Sequence, residues 1–285
     1  MIVNEEMRDK VTLLLVNVSE TIILPYFNNL SDQQIDTKSG PDDYVTIADK
    51  EAELAITDAL LKLIDTSCVI GEEAVALNKN VLSNLKNKVV WTVDPIDGTK
   101  NFVNGNNHFC SMIALLENGV TQASWIYVPL TGECYFATQS GVQIKQKQFG
   151  TSYKDIINKP IINKPINTPD THKLNCTASL RHLDLSFKNN IREKFKMLEN
   201  RRFIGSAGIE ATMLANAQIE FIFHSITTPW DHAPVHLFTK ASGGKSGQIS
   251  YPELVFREID FKKNDAVLFV RDVNAWQAVS DFIAH

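Results

Sequence analysis

The run of short apolar segments between residues 68 and 145 constrains the fold more than any other feature of the sequence. These segments are rich in β-branched and aromatic residues and are bounded by Gly, Asn and Pro, which is typical of strands. They span residues 68–70, 88–93, 110–116, 122–128, 133–137 and 141–145. Two amphipathic segments with helical spacing precede them, one over residues 5–28 and one starting at Thr46. Two helices followed by a run of strands predict an α+β fold.

The second half of the chain alternates helices and strands. Helices are predicted around 186–198, 207–217 and 232–241, strands near 202–204 and 219–223, and a last strand and helix near the C-terminus. A polar, proline-containing segment over 150–172 is predicted to be a surface connection. We therefore expect one unit over residues 1–285, made of an N-terminal half (1–149), this connection and a C-terminal half (173–285).

Charge and cysteine content exclude several classes of protein. The chain has 28 basic and 33 acidic residues, a net charge of -5, and no Lys/Arg block longer than a dipeptide, which argues against nucleic acid as the main ligand. The four cysteines form no CxxC pair, so neither a zinc knuckle nor a disulfide framework is expected. An acidic N-terminus and polar residues within the apolar stretch 11–24 predict no signal peptide and no membrane span. We expect a cytoplasmic protein.

Three groups of acidic residues each follow a predicted strand or its turn. Glu72 follows apolar residues 69–70, Asp94 and Asp97 follow residues 89–93, and Asp231 follows a strand and a short turn. Acidic residues are also ordinary at turns, so any one group alone fits a structural role. Crowded carboxylates repel one another unless a cation lies among them, and Mg²⁺ prefers such oxygen ligands. The sequence predicts a Mg²⁺ site if these strand ends meet at one edge of a sheet.

The segment Asp94-Pro95-Ile96-Asp97-Gly98-Thr99 is hard to explain as a turn alone. Pro95 fixes the backbone between two carboxylates that a turn has no need to pair. Gly98 and Thr99 then present backbone N–H groups at a predicted helix start, where amides attract phosphate. This segment therefore indicates phosphate binding beside the metal site.

Two of the candidate positions also have a structural explanation. Asp231 precedes a predicted helix with Pro234 in its first turn, which is an N-cap arrangement. Thr46 and Asp49 have the T-x-x-D form of a capping box. Each residue can serve both roles.

The motifs taken together resemble the inositol monophosphatase family of Mg²⁺-dependent, lithium-sensitive phosphatases. The matching segments are Lys38 with residues 43–49 (K-x-x-x-x-D-x-V-T-x-x-D), 71–73 (G-E-E), 94–102 (D-P-I-D-G-T-x-N-F), 205–207 (G-[ST]-A), 230–233 (W-D-x-A) and 243–244 (G-G). They occur in the family's order, and the D-P-I-D-G-T string with W-D-x-A is highly specific.

The resemblance implies a layered αβαβα sandwich of the inositol monophosphatase and fructose-1,6-bisphosphatase type. It also implies a homodimer that hydrolyses a small phosphate monoester with metal-activated water, using about two or three Mg²⁺ ions. The resemblance implies that the metal ligands are Glu72, Asp94, Asp97, Asp231 and the carbonyl of Ile96. It implies that Thr99, hydrogen-bonded to Asp49, orients the attacking water together with Glu72. The substrate-binding residues that it implies are Gly98, Thr99, Gly205, Ser206, Ala207, His224 and Asp231.

One departure from the family pattern concerns the substrate. Where members that act on inositol phosphate have a Glu that contacts hydroxyl groups, this sequence has His224. An imidazole does not accept hydroxyl protons as a carboxylate does. Histidinol phosphate, a nucleotide 3′-phosphate and a sugar phosphate therefore stay open beside inositol phosphate, and His224 also fits a buried structural role.

A binding protein that keeps the fold is the alternative from another class. Bacterial members of the family that associate with the transcription machinery are the precedent for it. The intact acidic residues and Thr99 favour the enzyme.

Overall fold

Helices and sheets alternate in layers through the part of the chain that this computed structural model describes: residues 3–38, 40–147, 157–159, 166, 171–181, 183, 185–250 and 254–284. The helices are α1 (Glu5–Val18), α2 (Leu24–Tyr26), α3 (Ile47–Leu63), α4 (Glu72–Leu77), α5 (Thr99–Val103), α6 (Leu185–Lys196), α7 (Ala207–Ala215), α8 (Pro229–Ala241) and α9 (Trp276–Ala284). Single 3₁₀ segments lie at Asp32–Gln34, Lys79–Lys86, Thr171–Lys173 and Val273–Ala275.

The strands form two large sheets and one short hairpin-like pair. The pair is β1 (Ile35–Thr37) with β2 (Tyr44–Thr46). The first large sheet holds β3 (Cys68–Gly71), β4 (Val89–Asp97), β5 (Cys110–Glu117), β6 (Val120–Val128), β7 (Glu133–Thr138), β8 (Gly141–Gln146) and β9 (Ile157–Lys159), side by side in that order. The second holds β10 (Asn175–Ser179), β11 (Asn200–Arg202), β12 (Phe221–His224), β13 (Lys245–Ser250), β14 (Val255–Arg257) and β15 (Ala266–Val270), in the order β11-β10-β12-β15-β13-β14.

The described residues form four apolar clusters, and three of them define the order of the layers. Helices α1 and α3 pack on one face of the first sheet, where Trp91 and Trp125 are fully buried. Helices α7 and α8 lie between the two sheets, and Phe238 of α8 is buried among residues of both. Helices α6 and α9 cover the far face of the second sheet around Phe195. The order helix, sheet, helix, sheet, helix confirms the predicted αβαβα sandwich.

The first helix differs from the prediction because of Pro25. A regular helix over 5–28 would need the missing N–H of Pro25 to bond the carbonyl of Thr21, which the proline ring would also crowd. The chain instead forms a π-helical turn at Ser19–Ile23, in which the N–H of Leu24 bonds the carbonyl of Ser19, and ends the helix at Tyr26. The second helix begins as predicted, with Thr46 as its N-cap and a capping box with Asp49.

The N-cap interpretation of Asp231 is wrong. Helix α8 begins at Pro229, with Thr228 as N-cap, so Asp231 lies in the first turn and its Oδ2 accepts a hydrogen bond from the Thr228 hydroxyl at 2.5 Å. Pro234 consequently lies in the helix interior. Strand β4 extends to Asp97, beyond its predicted end at residue 93, and most other boundaries differ from the prediction by about two residues, as is usual at frayed ends. The strands without a counterpart in the prediction are β1, β2, β9, β10, β13 and β14.

Most of the predicted surface connection over 150–172 lies outside the described residues. Within it, Ile157–Lys159 pairs antiparallel with β8 at the edge of the first sheet. The division into two halves stays a prediction.

Candidate active site

Two of the acidic segments, those of Glu72 and of Asp94 with Asp97, lie at the ends of neighbouring strands at one edge of the first sheet. Strand β4 runs buried from Val89 to Asp97, and its register with β5 shifts between Asp94 and Asp97. Pro95 lies in this irregularity, where its missing N–H removes no regular ladder bond, and its carbonyl accepts the Ser111 hydroxyl at 2.7 Å. The irregular strand end allows both Asp94 and Asp97 to face the layer between the sheets.

Glu72 reaches the same place from the first turn of α4, directly after the neighbouring strand β3. The position of α4 is fixed by Glu53 of α3, whose carboxylate accepts the N–H groups of Glu73 and Ala74 at 2.8 Å each. Sequence reasoning missed Glu53, because nothing in its local spacing marks a contact with a helix start twenty residues away.

Glu72, Asp94 and Asp231 form a compact carboxylate cluster. One oxygen of each lies within 4.8 Å of the others. Asp94 Oδ1 is buried without a hydrogen-bond partner among the described residues. Burial raises the pKa of Asp94 well above its usual value, and the charges of Glu72 and Asp97 raise it further. Burial, with Asp97 and Glu72, raises the pKa of Asp231 to about 7.

This cluster fits a divalent cation. Buried carboxylates that repel one another are stable together only when protons or a cation reduce their charge. The donors are all hard oxygens, which is the ligand set that Mg²⁺ and Ca²⁺ prefer. Nothing in the described part of the chain bonds the buried Oδ1 of Asp94, and such an ion would satisfy this acceptor.

Asp97 lies beside the cluster, and its carboxylate accepts hydrogen bonds from the start of α7. Its Oδ2 accepts the Ser206 hydroxyl at 2.6 Å and the Gly208 N–H at 2.7 Å, and its Oδ1 accepts the Ala207 N–H at 3.1 Å. Burial raises the pKa of Asp97 to about 6, against the lowering effect of these hydrogen bonds. Gly208 permits this approach, since a Cβ there would lie 2.3 Å from the Cys110 sulfur. The structure thus joins the predicted Ser206 and Ala207 to Asp97, and metal binding by Asp97 stays a prediction.

Thr99 and Asp49 are in contact, as the resemblance implies. Thr99 Oγ1 lies 3.1 Å from Asp49 Oδ1 and 3.0 Å from the carbonyl oxygen of Ile96. The other Asp49 oxygen accepts the N–H and hydroxyl of Thr46 at 2.8 and 2.6 Å. Burial raises the pKa of Asp49 to about 6 although these bonds oppose the shift. The capping box therefore holds the carboxylate that positions the Thr99 hydroxyl.

Gly98 joins β4 to α5 in the left-handed region, with φ of +93°. A Cβ at this position would lie 2.8 Å from the carbonyl oxygen of His108. Only glycine fits both constraints. The backbone conformation at Gly98 is thus fixed, and phosphate binding there and at Gly205 stays a prediction.

Lys38 is the cation closest to the acidic groups among the described residues. Its ammonium lies 2.5 Å from Glu72 Oε1 and 2.9 Å from Glu73 Oε1. Burial alone would lower the pKa of Lys38, but the two carboxylates outweigh it and raise the pKa, so the ammonium stays charged. Burial and the charge of Glu72 raise the pKa of Glu73 to about 8 despite Lys38. Lys38 thereby fixes the Glu72 side chain from the side of β1.

His224 lies at the end of β12 in a buried polar chain. Its Nε2 lies 2.7 Å from Glu210 Oε2, and its Nδ1 lies 2.9 Å from His232 Nε2. The Thr228 N–H donates to His232 Nδ1 at 2.9 Å, so a neutral His232 carries its proton on Nε2 and donates to His224. Both ring nitrogens of His224 are therefore occupied, and contact with a substrate through the ring stays a prediction. Sequence reasoning missed Glu210, which has no motif around it.

The structure resembles solved inositol monophosphatases in fold. The Thermotoga maritima IMPase matches with a TM-score of 0.74 at 21% sequence identity, over 98% of this chain and 96% of that chain. A staphylococcal inositol monophosphatase-1, solved as a LiCl-soaked inhibitory complex, matches with a TM-score of 0.76 at 18% identity, over 99% and 96%. The αβαβα layers therefore belong to the fold that these phosphatases share.

The sequence places the chain within one family. The model of the inositol monophosphatase family matches residues 4–264, and this chain belongs to that family. The inositol-1-monophosphatase of Bacillus subtilis is 28% identical over 82% of this chain and 81% of its own length. A protein of Vibrio cholerae named Nus factor SuhB is 29% identical over 73% and 72%. No described helix is long and apolar enough to cross a membrane.

Proposed function

We propose that this protein is a Mg²⁺-dependent phosphomonoesterase that acts on a small phosphorylated metabolite. The observation that carries the proposal is the convergence of Glu72, Asp94 and Asp231 within 4.8 Å, from a helix start, a strand end and a helix between the sheets. The buried Asp94 Oδ1, which has no hydrogen-bond partner within the described ranges, supports a cation at this point. Membership of the inositol monophosphatase family supports the reaction class.

Glu72, Asp94 and Asp231, with Asp97 and the Ile96 carbonyl beside them, would hold about two or three Mg²⁺ ions. When bound, such ions lower the pKa of an attacking water and stabilise the negative charge on the leaving oxygen. The chain's own residues then have to position the reactants rather than to form covalent bonds.

Thr99 would orient the attacking water. Its hydroxyl has one proton, which the Asp49 carboxylate and the Ile96 carbonyl compete to accept at 3.1 and 3.0 Å. The remaining lone pairs of Thr99 Oγ1 can accept a proton from water. Thr46 holds Asp49, the partner of Thr99, and Lys38 holds Glu72. The two groups that would contact the water, Thr99 and Glu72, are therefore fixed before substrate binds.

We infer a leaving group other than inositol. The position at which inositol-specific members have a Glu carries His224, and both nitrogens of that ring are bonded to Glu210 and His232. Neither nitrogen is left to accept a hydroxyl proton from a polyol. Histidinol phosphate, nucleotide 3′-phosphates and sugar phosphates are the candidates to compare with inositol phosphate.

The test is a panel of these monoesters assayed for phosphate release with Mg²⁺ and with a chelator, using the wild type and Asp94→Asn. We expect Mg²⁺-dependent release from at least one ester, loss of activity in chelator, and no activity in the variant. Release that continues in chelator, or equal turnover by Asp94→Asn, would contradict the proposed site.

A regulatory binding protein is the second candidate, favoured by the similarity to the Nus factor SuhB protein. This second candidate is supported if the wild type keeps a sharp thermal transition and binds Mg²⁺ but releases phosphate from none of the esters. We also propose a homodimer on the family resemblance. Light scattering checks it, since a dimer has twice the chain's 32.0 kDa.

A further inference from the structure

A buried chain of hydrogen bonds leads from α7 to the N-terminus of α8. Three ionisable side chains form it: Glu210 on α7, His224 at the end of β12 and His232 on α8. All three are buried, and their polar atoms lie 2.7 and 2.9 Å apart in that order. Apolar side chains would fill the same space without the cost of burying polar groups. We call these three residues the Glu-His-His chain.

The direction of the hydrogen bonds follows from the backbone of Thr228. Its N–H can only donate, and it lies 2.9 Å from His232 Nδ1. The Thr228 carbonyl, 3.1 Å from the same ring nitrogen, already accepts the backbone N–H of His232. His232 therefore has a lone pair on Nδ1 and its proton on Nε2, and it donates to His224 Nδ1. His224 in turn donates from Nε2 to Glu210 Oε2.

Glu210 thus fixes the tautomer of both rings. An ionised carboxylate only accepts hydrogen bonds, so the chain has an acceptor at one end and a donor, the Thr228 N–H, at the other. With both ends fixed, only one placement of the two ring protons satisfies every member. Without the acceptor at Glu210, His224 has no reason to carry its proton on Nε2.

The far end of the chain holds the residue that orients Asp231. Thr228 is the N-cap of α8, and its hydroxyl donates to Asp231 Oδ2 at 2.5 Å. The backbone N–H of an N-cap residue is often bonded by a side chain from the first turn, and here His232 takes that part. Thr228 is therefore held by its backbone while its hydroxyl holds the Asp231 carboxylate.

Ring packing makes this arrangement rigid. The His232 ring lies parallel to the Phe269 ring of β15, with 3° between the planes and 5.9 Å between the centroids. The His224 ring meets the His232 ring at 75°. Both nitrogens of each ring are bonded, so rotation of either ring would break hydrogen bonds. The two rings therefore fix the start of α8 to β12 and β15 of the second sheet.

We propose that Glu210 is a positioning residue for Asp231: through the two histidines it holds Thr228, and thereby the Asp231 carboxylate, in place for Mg²⁺. The proposal rests on the proposed function for the identity of Asp231 as a metal ligand. It makes His224 a link in the chain rather than a contact of the substrate. Residues that orient a metal ligand in this way typically contribute about ten- to a hundredfold to metal affinity.

Calorimetric titration of Mg²⁺ into chelator-treated, dialysed protein tests the proposal with Glu210→Met and Glu210→Gln. The Met side chain has a similar length but no acceptor, whereas Gln keeps an oxygen that accepts the His224 N–H. We expect Kd for Mg²⁺ to rise at least about tenfold in Glu210→Met and to stay within about threefold of the wild type in Glu210→Gln. The control is Thr239→Val, a change of similar shape at a buried position of α8, which should leave Kd unchanged.

Nitrogen-15 NMR of the histidine rings, in chelator, tests the chain without metal or substrate. Protonated and unprotonated ring nitrogens have well separated shifts, so the spectrum gives each tautomer. In the wild type, His224 and His232 should both carry the proton on Nε2. A proton on Nδ1 of His232 would reverse the hydrogen bond to Thr228 and overturn the proposal. If Glu210→Met has no sharp thermal transition, these wild-type tautomers decide the question.

Substrate kinetics separate a positioning role from a substrate contact. If Glu210 acts through Asp231, Glu210→Met raises the Mg²⁺ concentration needed for half-maximal rate equally for every ester of the panel. A change in the ranking of the esters by KM, at saturating Mg²⁺, would instead make His224 a substrate contact and would refute the positioning role.

The remaining outcomes separate this proposal from the proposed function. An equal Kd for Mg²⁺ in the wild type and Glu210→Met overturns the positioning role and leaves the phosphatase standing, as does equal weakening in Glu210→Met and Glu210→Gln. The expected pattern of Kd values without phosphate release from any ester refutes the phosphatase and supports the positioning role. A wild type that binds no Mg²⁺ refutes the metal site and the positioning role together.

Discussion

Replacing Asp94 by Asn should change the stability of the metal-free and the Mg²⁺-bound protein in opposite directions. In the metal-free protein, the buried Asp94 carboxyl lies against Glu72 and Asp231 with one oxygen unpartnered in the described structure. An Asn side chain has nearly the same shape and no charge, so it relieves the repulsion. With Mg²⁺ present, the same substitution removes a ligand, so the variant should lose the stabilisation that the ion gives the wild type.

The magnitude follows from the cluster geometry. Two unit charges separated by the 4.8 Å that bounds the cluster repel by about 3.5 kcal/mol at an effective dielectric constant of about 20. Partial protonation already relieves much of this, so we expect a gain of about 1–3 kcal/mol at pH 8 in the metal-free variant. With an unfolding entropy of about 2.1 cal/mol/K per residue, this corresponds to a rise of about 2–5 °C in Tm for a chain of 285 residues.

The Mg²⁺ arm has a similar scale and the opposite sign. An ion present at about a hundred times its Kd stabilises the wild type by about 2.7 kcal/mol, or roughly 4–5 °C. The Asp94→Asn variant should show little of this shift.

Thermal unfolding followed by fluorescence or calorimetry, in chelator and over a Mg²⁺ titration, measures both effects. Asp58→Asn, at an exposed position of α3, is the matched control and should behave as the wild type in both conditions. A metal-free Asp94→Asn that melts at or below the wild-type temperature would refute the reasoning from crowded charge. If Mg²⁺ stabilises the Asp94→Asn variant as much as the wild type, Asp94 is not a ligand of the stabilising ion.

Thr99→Ala should lower kcat about a hundredfold or more with little change in KM, whereas Thr99→Ser should keep most of the activity; steady-state kinetics that show equal activity of the two variants would contradict a role for the hydroxyl. Thr46→Ala should lower Tm by about 1–3 °C through loss of the α3 cap, and should lower kcat too because Asp49 is freed; an unchanged Tm by scanning fluorimetry would contradict the cap. In chelator, the free energy of unfolding should fall as the pH rises from about 4 to about 8. Burial raises the pKa of Asp49 to about 6 and that of Asp231 to about 7, whereas both are about 3.9 in the unfolded chain. The stability that these two groups contribute below their unfolded pKa is therefore lost as the pH rises through their folded pKa values. Urea unfolding at pH 5 and pH 8 checks this, and equal stabilities would contradict it.

Strands rich in apolar, β-branched and aromatic residues were predictable from the sequence, whereas the small and mostly polar strand β10 was not. Strand β4 is buried along its whole length, so residues Val89 to Val93 are all apolar or β-branched. Strand β10 has the residues Asn-Cys-Thr-Ala-Ser, which are small and mostly polar, and it is a strand because β11 and β12 pair with it on both sides. Its partners are distant in the chain, so no local window contains the reason for its conformation.

The residues of the candidate site also fall into those that the local sequence predicted and those that it did not. Glu72, Asp94 and Asp231 lie in local motifs whose residue types already suggest a cation, and the structure brings these three together. Glu53 and Glu210 were missed, since each owes its role to a partner that only folding brings near. The helix start at Pro229 was missed as well, because a Thr cap two residues before an aromatic is a weaker signal than an Asp before a proline.

The distribution of the carboxylate cluster over the chain has a consequence for how the protein folds. Glu72 and Asp94 belong to the first sheet, whereas Asp231 belongs to the helix packed between the two sheets. Contacts between such distant parts of a chain form late, because closing long loops has to precede them. A complete binding site should therefore exist only after both sheets have docked on α8. The rate at which Mg²⁺ becomes protected from a chelator during refolding would then time the last step of assembly.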